Sequence, residues 1–107
     1  WELAQACGHS ICVDLDKVHI PDLSKRVCKI MEINPLAAIA SGALLLAVDS
    51  KDSSRICSSL QQEKIVCVQI GKILKASSKP QVWNISSGSQ ELLDYPERDE
   101  IARLFEL

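Results

Sequence analysis

Hydrophobic positions along the chain change period several times, and each change marks an expected element. Residues 1–7, WELAQAC, put Leu3, Ala6 and Cys7 on one side of a helix, and Gly8 follows where a left-handed C-terminal cap places a glycine. SICVDLD then alternates, with Ile11, Val13 and Leu15 on one face and Cys12 and Asp14 on the other, the period of a strand. After Pro21, Asp22 can accept from the free N–H groups of a first helical turn. Leu23, Val27, Ile30 and Met31 form one apolar stripe on a helix reaching about Ile33.

The block INPLAAIASGALLLAVD breaks that period. Asn34 can cap a second short helix with Pro35 at its first position, where a missing N–H costs nothing, and Leu36 to Ala40 continue it. Gly42 stops it, so Ser41-Gly42 reads as a corner between a helix and a strand. Ala43 to Val48 has no polar residue on either face, the signature of a central strand buried on both sides. Asp49 or Ser50 then caps a helix through about Gln62, with Ile56, Cys57 and Leu60 inward.

Ile65 to Leu74 is strand-like, with Gly71 a bulge or a close backbone approach. KASSKP is a turn, QVWNIS a strand and SSGSQ another turn, giving a hairpin-like pair. Pro96 opens a last helix, with Glu97, Asp99 and Glu100 in its positive first turn and Ile101, Leu104 and Phe105 toward the core. Helices and strands alternate without an internal repeat, and the pattern predicts an α+β fold with a mixed sheet.

Length and charge narrow the picture. At 107 residues the chain is long enough for one domain with its own core, spanning 1–107. A net charge of −2 offers no broad electropositive surface, so nucleic acid is not an expected partner. The apolar run from Pro35 to Val48 is broken at Ser41-Gly42 and falls short of the roughly 20 residues that span a bilayer, so no membrane association is expected either. Cys7, Cys12, Cys28, Cys57 and Cys67 sit inside hydrophobic patterns without a spaced framework, which predicts reduced, buried thiols in a cytoplasmic, metal-free protein. The start at Trp1, with no capping residue ahead of a helical segment, suggests a piece of a longer protein.

Candidate chemistry is sparse. Cys7, His9 and Cys12 are metal-ligand types, but their spacing matches no common zinc module and favours thiols beside a surface histidine. Asp14 and Asp16 share a strand face and read as the solvent end of that strand rather than as an acid–base pair. Nucleotide-binding, nucleophile-elbow and zinc-protease signatures are absent. Ser41-Gly42 stands out, because glycine there would let backbone N–H groups approach an anion, although by residue type alone an ordinary structural corner, where glycine ends a helix, is the better reading.

The order of these segments, with the N-P-L…S-G-A-L-L block followed by I-G-K-I and PERDEIARLFEL, resembles the C-terminal domain of the aminoimidazole ribonucleotide synthetase superfamily. It is most similar to the synthetase-related proteins and the hydrogenase maturation carbamoyl dehydratase. The resemblance covers nearly the whole chain. It implies a three-layer α/β/α domain with a mixed β-sheet, joined to an N-terminal nucleotide-binding domain that holds most of the ATP and its magnesium and forms a homodimer.

It also implies a phosphate or substrate cleft between the domains, with Asn34, Ser41, Gly42 and Ala43 on this domain's wall, and no catalytic or metal-binding residue of its own. The hydrogenase maturation members end in a cysteine that carries the carbamoyl group, and this sequence departs from them with Phe105-Glu106-Leu107. An alternative expectation is a non-catalytic interaction or regulatory module of a degenerate relative.

Overall fold

Ile11 and Val13 alternate with Cys12, and this period of two builds the strand on which the sheet is organised, β1 (His9–Val13). In the computed structural model, which describes residues 1–106, β1 lies between an antiparallel neighbour, β2 (Gly71–Ala76), and a parallel one, β3 (Val82–Asn84). β3 pairs antiparallel with β4 (Glu91–Leu92), giving the order β2-β1-β3-β4. Four α-helices accompany this mixed sheet among the described residues: α1 (Glu2–Cys7), α2 (Asp22–Met31), α3 (Ser50–Gln62) and α4 (Glu100–Arg103). The fold is small and mixed α/β, as the alternation of elements predicts.

Two compact units divide the chain: residues 1–19 with 47–94, and residues 20–46 with the stretch from 95 onward. The first holds the sheet, α1 and α3. Its buried residues are Ala4 of α1 and the register pair Ile11 and Val82, exposed by 0, 7 and 4%. Trp1, Leu3, Val13 and Leu93 pack against them, and the Trp1 indole N–H donates to the Leu93 carbonyl at 2.8 Å, so the ring is covered without stranding its donor. Gly8 ends α1 at φ 67°, its N–H donating to the Ala4 carbonyl at 3.0 Å, as expected for a left-handed cap.

The expected close approach at Gly71 is real. A Cβ built there would lie 2.0 Å from the Cys12 carbonyl oxygen and 3.0 Å from Val13 Cα, so only glycine lets β2 meet β1. The ladder irregularity itself falls between His9 and Ile11. The expected hairpin-like pairing across KASSKP is not formed, because β1 lies between β2 and β3; β3 pairs instead with β4, a strand that the sequence pattern did not indicate.

In the same unit Asp49 caps α3, its side chain accepting from the Lys51 N–H at 3.1 Å. Beyond its end, Lys64 N–H donates to the Gln61 carbonyl and Ile65 N–H to the Leu60 carbonyl, a Schellman closure with Lys64 at φ 59° where glycine is usual. Ile56, Cys57 and Leu60 form the half-buried side of α3, as the periodicity predicts.

The second unit contains α2 and α4. Pro21 stands at the α2 N-terminus without a side-chain cap, so Asp22 enters as the first helical residue and contributes its charge instead of a hydrogen bond. Glu32, at φ 54°, donates to the Lys29 carbonyl and Ile33 to the Cys28 carbonyl, which closes α2 at Met31. Asp99 caps α4, accepting from the Ile101 N–H at 2.7 Å.

Several expectations are corrected. Ala43 to Val48 forms no strand and is unpaired, and Leu44, Leu45 and Leu46 are 80, 59 and 51% exposed. A strand apolar on both faces needs two neighbours and two covering layers. Here β1 and β3 hold the inner positions of the sheet, and the 43–48 run pairs with no strand. The segment 65–70 likewise belongs to no ladder, so the strand begins only at Gly71. The helical turn after Asn34 covers Pro35–Ala37, a single 3-10 turn that stops short of Ala40.

The apolar stripe of α2 is exposed, as is Phe105 beyond α4. Nor are the cysteines buried: Cys7 is exposed and the other four are partly exposed, though all five are free thiols. No helix among the described residues is long and apolar enough to cross a membrane.

Candidate functional site

Asn34 behaves as its sequence context predicts. Its Oδ1 accepts from the Leu36 N–H at 3.0 Å, and Pro35 occupies the first position of the 3-10 turn. The Asn34 N–H donates to Glu100 Oε2 at 3.3 Å, and the same oxygen accepts from the Arg103 guanidinium at 2.9 Å. Arg103 also donates to the Glu32 carbonyl at 2.8 Å, which ties α4 to the end of α2. Glu100 and Arg103 are the members of this network that sequence reasoning missed. Their i,i+3 spacing is visible, but nothing local announces a partner at Asn34. Removing the cap in Asn34→Ala should cost about 0.5–1 kcal/mol, the low end for a cap because the turn is short and exposed, while Asn34→Asp retains it. Denaturant midpoints of the two variants check this.

Ser41 and Gly42 form the central positions of a turn closed by the Ala43 N–H donating to the Ala40 carbonyl at 2.9 Å. The structure therefore joins Ser41, Gly42 and Ala43 in one exposed turn and leaves Asn34 in another, with no hydrogen bond between the two turns among the described residues. Gly42 is not in the left-handed region, and a Cβ placed on it would meet nothing within 4 Å. Neither backbone conformation nor local packing requires a glycine there. The Ser41 hydroxyl and the N–H groups of Ser41 and Gly42 have no acceptor among the described residues, so the turn presents donors outward. It offers no base beside a nucleophile, and its chemistry is that of binding an acceptor.

The other candidates resolve into structural roles. His9 Nδ1 donates to the Leu74 carbonyl at 2.7 Å, which fixes the proton on that nitrogen, and the Cys7 thiol donates to the Ala4 carbonyl at 3.6 Å. Among the described residues no three His, Cys, Asp or Glu side chains converge to hold a metal. Asp14 lies just past β1 and accepts from the Asp16 N–H at 3.1 Å, capping a 3-10 turn over Leu15–Lys17. Asp16 accepts from the Ser87 hydroxyl at 3.2 Å.

No protein-family model matches this chain, and no curated protein or solved structure does. One further cluster carries chemistry. In the first unit, Cys57 and Cys67 bring their Sγ atoms to 3.6 Å. Their shared hydrogen bond, followed by burial and the charge of Cys57, holds the Cys67 thiol above its ordinary pKa range.

Proposed function

We propose that the chain is the C-terminal domain of an ATP-dependent enzyme related to the aminoimidazole ribonucleotide synthetases, with the three-layer α/β/α arrangement of that superfamily. The 41–43 turn then forms part of one wall of a phosphate or substrate cleft. The order of segments and the N-P-L…S-G-A-L-L block with I-G-K-I support this reading. The observation that carries it is the turn itself: two backbone donors and a hydroxyl without partners, beside a glycine that nothing local requires. A glycine free of local need is accounted for by a ligand that approaches the backbone closely. ATP, magnesium and the dimer contacts belong in this reading to an N-terminal domain, and this domain alone is inactive.

Binding of Mg-ATP to the full-length protein by calorimetry, with folding followed in parallel, tests the proposal. Gly42→Ala should leave stability unchanged or raise it by about 0.4–1 kcal/mol, since the position tolerates a side chain. It should nevertheless weaken binding. Ser41→Ala should lose roughly 0.5–1.5 kcal/mol of affinity for a neutral partner and more for a charged one. Wild-type affinity in both well-folded variants would remove the turn from the cleft.

A second reading, a non-catalytic interaction module, draws on the exposed run Leu44 to Leu46, because contiguous exposed apolar surface marks interaction sites. A full-length protein that binds no nucleotide would favour it.

A further inference from the structure

The 65–70 segment runs back along α3 and is clasped to it. Gln61 Nε2 donates to the Cys67 carbonyl at 3.1 Å, the Ser53 hydroxyl to Gln69 Oε1 at 3.3 Å, and the Schellman closure around Lys64 sets the reversal. Cys57 faces this segment from the half-buried side of α3, and its Sγ reaches that of Cys67. No other two thiols among the described residues lie within hydrogen-bonding range.

We propose that Cys57 and Cys67 form a reversible dithiol–disulfide couple, oxidised by a low-molecular-weight disulfide, that staples α3 to the segment entering β2. One thiol loses its proton, and the thiolate attacks a sulfur of the small disulfide, giving a mixed disulfide and releasing one small thiolate. The second thiol then loses its proton and attacks the protein-bound sulfur. The Cys57–Cys67 bond forms and the other small thiolate leaves. Two electrons pass from the dithiol to the small disulfide, and the two protons end on the two released thiols. The clasp favours the second step, because the partner thiol is already held beside the mixed disulfide. The raised pKa of Cys67 slows the couple at neutral pH and makes its oxidation faster as pH rises.

The staple pins the stretch between α3 and β2. Ile70 accepts from the Asp14 N–H at 2.7 Å, so the stapled segment continues directly into the β1–β2 ladder. Reduction frees it.

The test is oxidation of the full chain with oxidised glutathione at mildly alkaline pH, followed by acid quenching, trypsin and mass spectrometry. Cleavage after Arg55, Lys64 and Lys72 separates Cys57 from Cys67, so the bond joins peptides 56–64 and 65–72 at the summed mass less two hydrogens. The expected result is that this pair forms ahead of any involving Cys7, Cys12 or Cys28. Cys67→Ser should instead leave Cys57 as a persistent glutathione adduct. Repeating the oxidation in denaturant separates geometry from closeness in sequence, and the preference for the pair should fall about tenfold or more once the clasp is lost. Stable glutathione adducts on both cysteines of the folded chain, or the same preference in denaturant, would overturn the proposal.

Discussion

Gly71→Ala is expected to destabilise the protein by roughly 3 kcal/mol or more, and to lower its melting temperature by about 10 °C or more. The new Cβ would sit 2.0 Å from the carbonyl oxygen of Cys12, against an ordinary carbon–oxygen contact of about 3.3 Å. Both partners are backbone, so no rotamer change relieves the overlap. The β1–β2 ladder must open where Val13 faces Gly71, and β1 also carries the parallel pairing to β3. Lys72→Ala, at the next and exposed position of β2, is the control and should stay within about 0.5 kcal/mol of wild type. A Gly71→Ala protein that melts with wild type would mean that β2 does not pair with β1 in this register.

The second large effect separates the true core from the apparent one. Ile11→Ala should cost about 2–3 kcal/mol, the lower part of the usual range for such truncations, because few residues bury around it and they can relax. Leu45→Ala should change stability by no more than about 0.5 kcal/mol, since Leu45 is 59% exposed. The sequence pattern alone argues the opposite ranking, because Leu45 lies in the most apolar run of the chain. Paired chemical denaturation of the two variants decides between them. A larger loss at Leu45 than at Ile11 would restore Ala43 to Val48 as the central strand.

Features governed by a few neighbouring residues were legible in the sequence. Gly8 as a left-handed cap, Asn34-Pro35 as a turn start, Asp49 or Ser50 as a helix cap, where Asp49 takes the role, and Gly71 as a bulge or a close approach, where it is the latter, all follow from local stereochemistry. Long-range partnership was not. Ile11 acquires its buried position from Val82, near the other end of the chain, and no period in either segment names its partner. The 43–48 run was misread because periodicity reports what a strand needs, not whether a neighbour supplies it.

The end of α2 was placed two residues late because Glu32 adopts the left-handed conformation without being glycine, whereas the end of α3 at Gln62 was read correctly although Lys64 does the same. At the candidate site the same division holds. The Asn34 cap was readable, whereas Ser41-Gly42 is a turn that joins no helix to a strand, and the link from Asn34 to Glu100 and Arg103, with the meeting of Cys57 and Cys67, depends on how the chain folds back.

Hydrogen exchange read by mass spectrometry on the full-length protein, with and without Mg-ATP, tests the central claim most directly. Amides of β1 should be protected in both states, because they donate into ladders on either side. Those of Ser41, Gly42 and residues 44–46, which have no acceptor among the described residues, should exchange quickly without nucleotide. With Mg-ATP bound, exchange at Ser41 and Gly42 should slow as the turn meets its ligand. Nucleotide that binds and leaves exchange at these two amides unchanged would contradict the account.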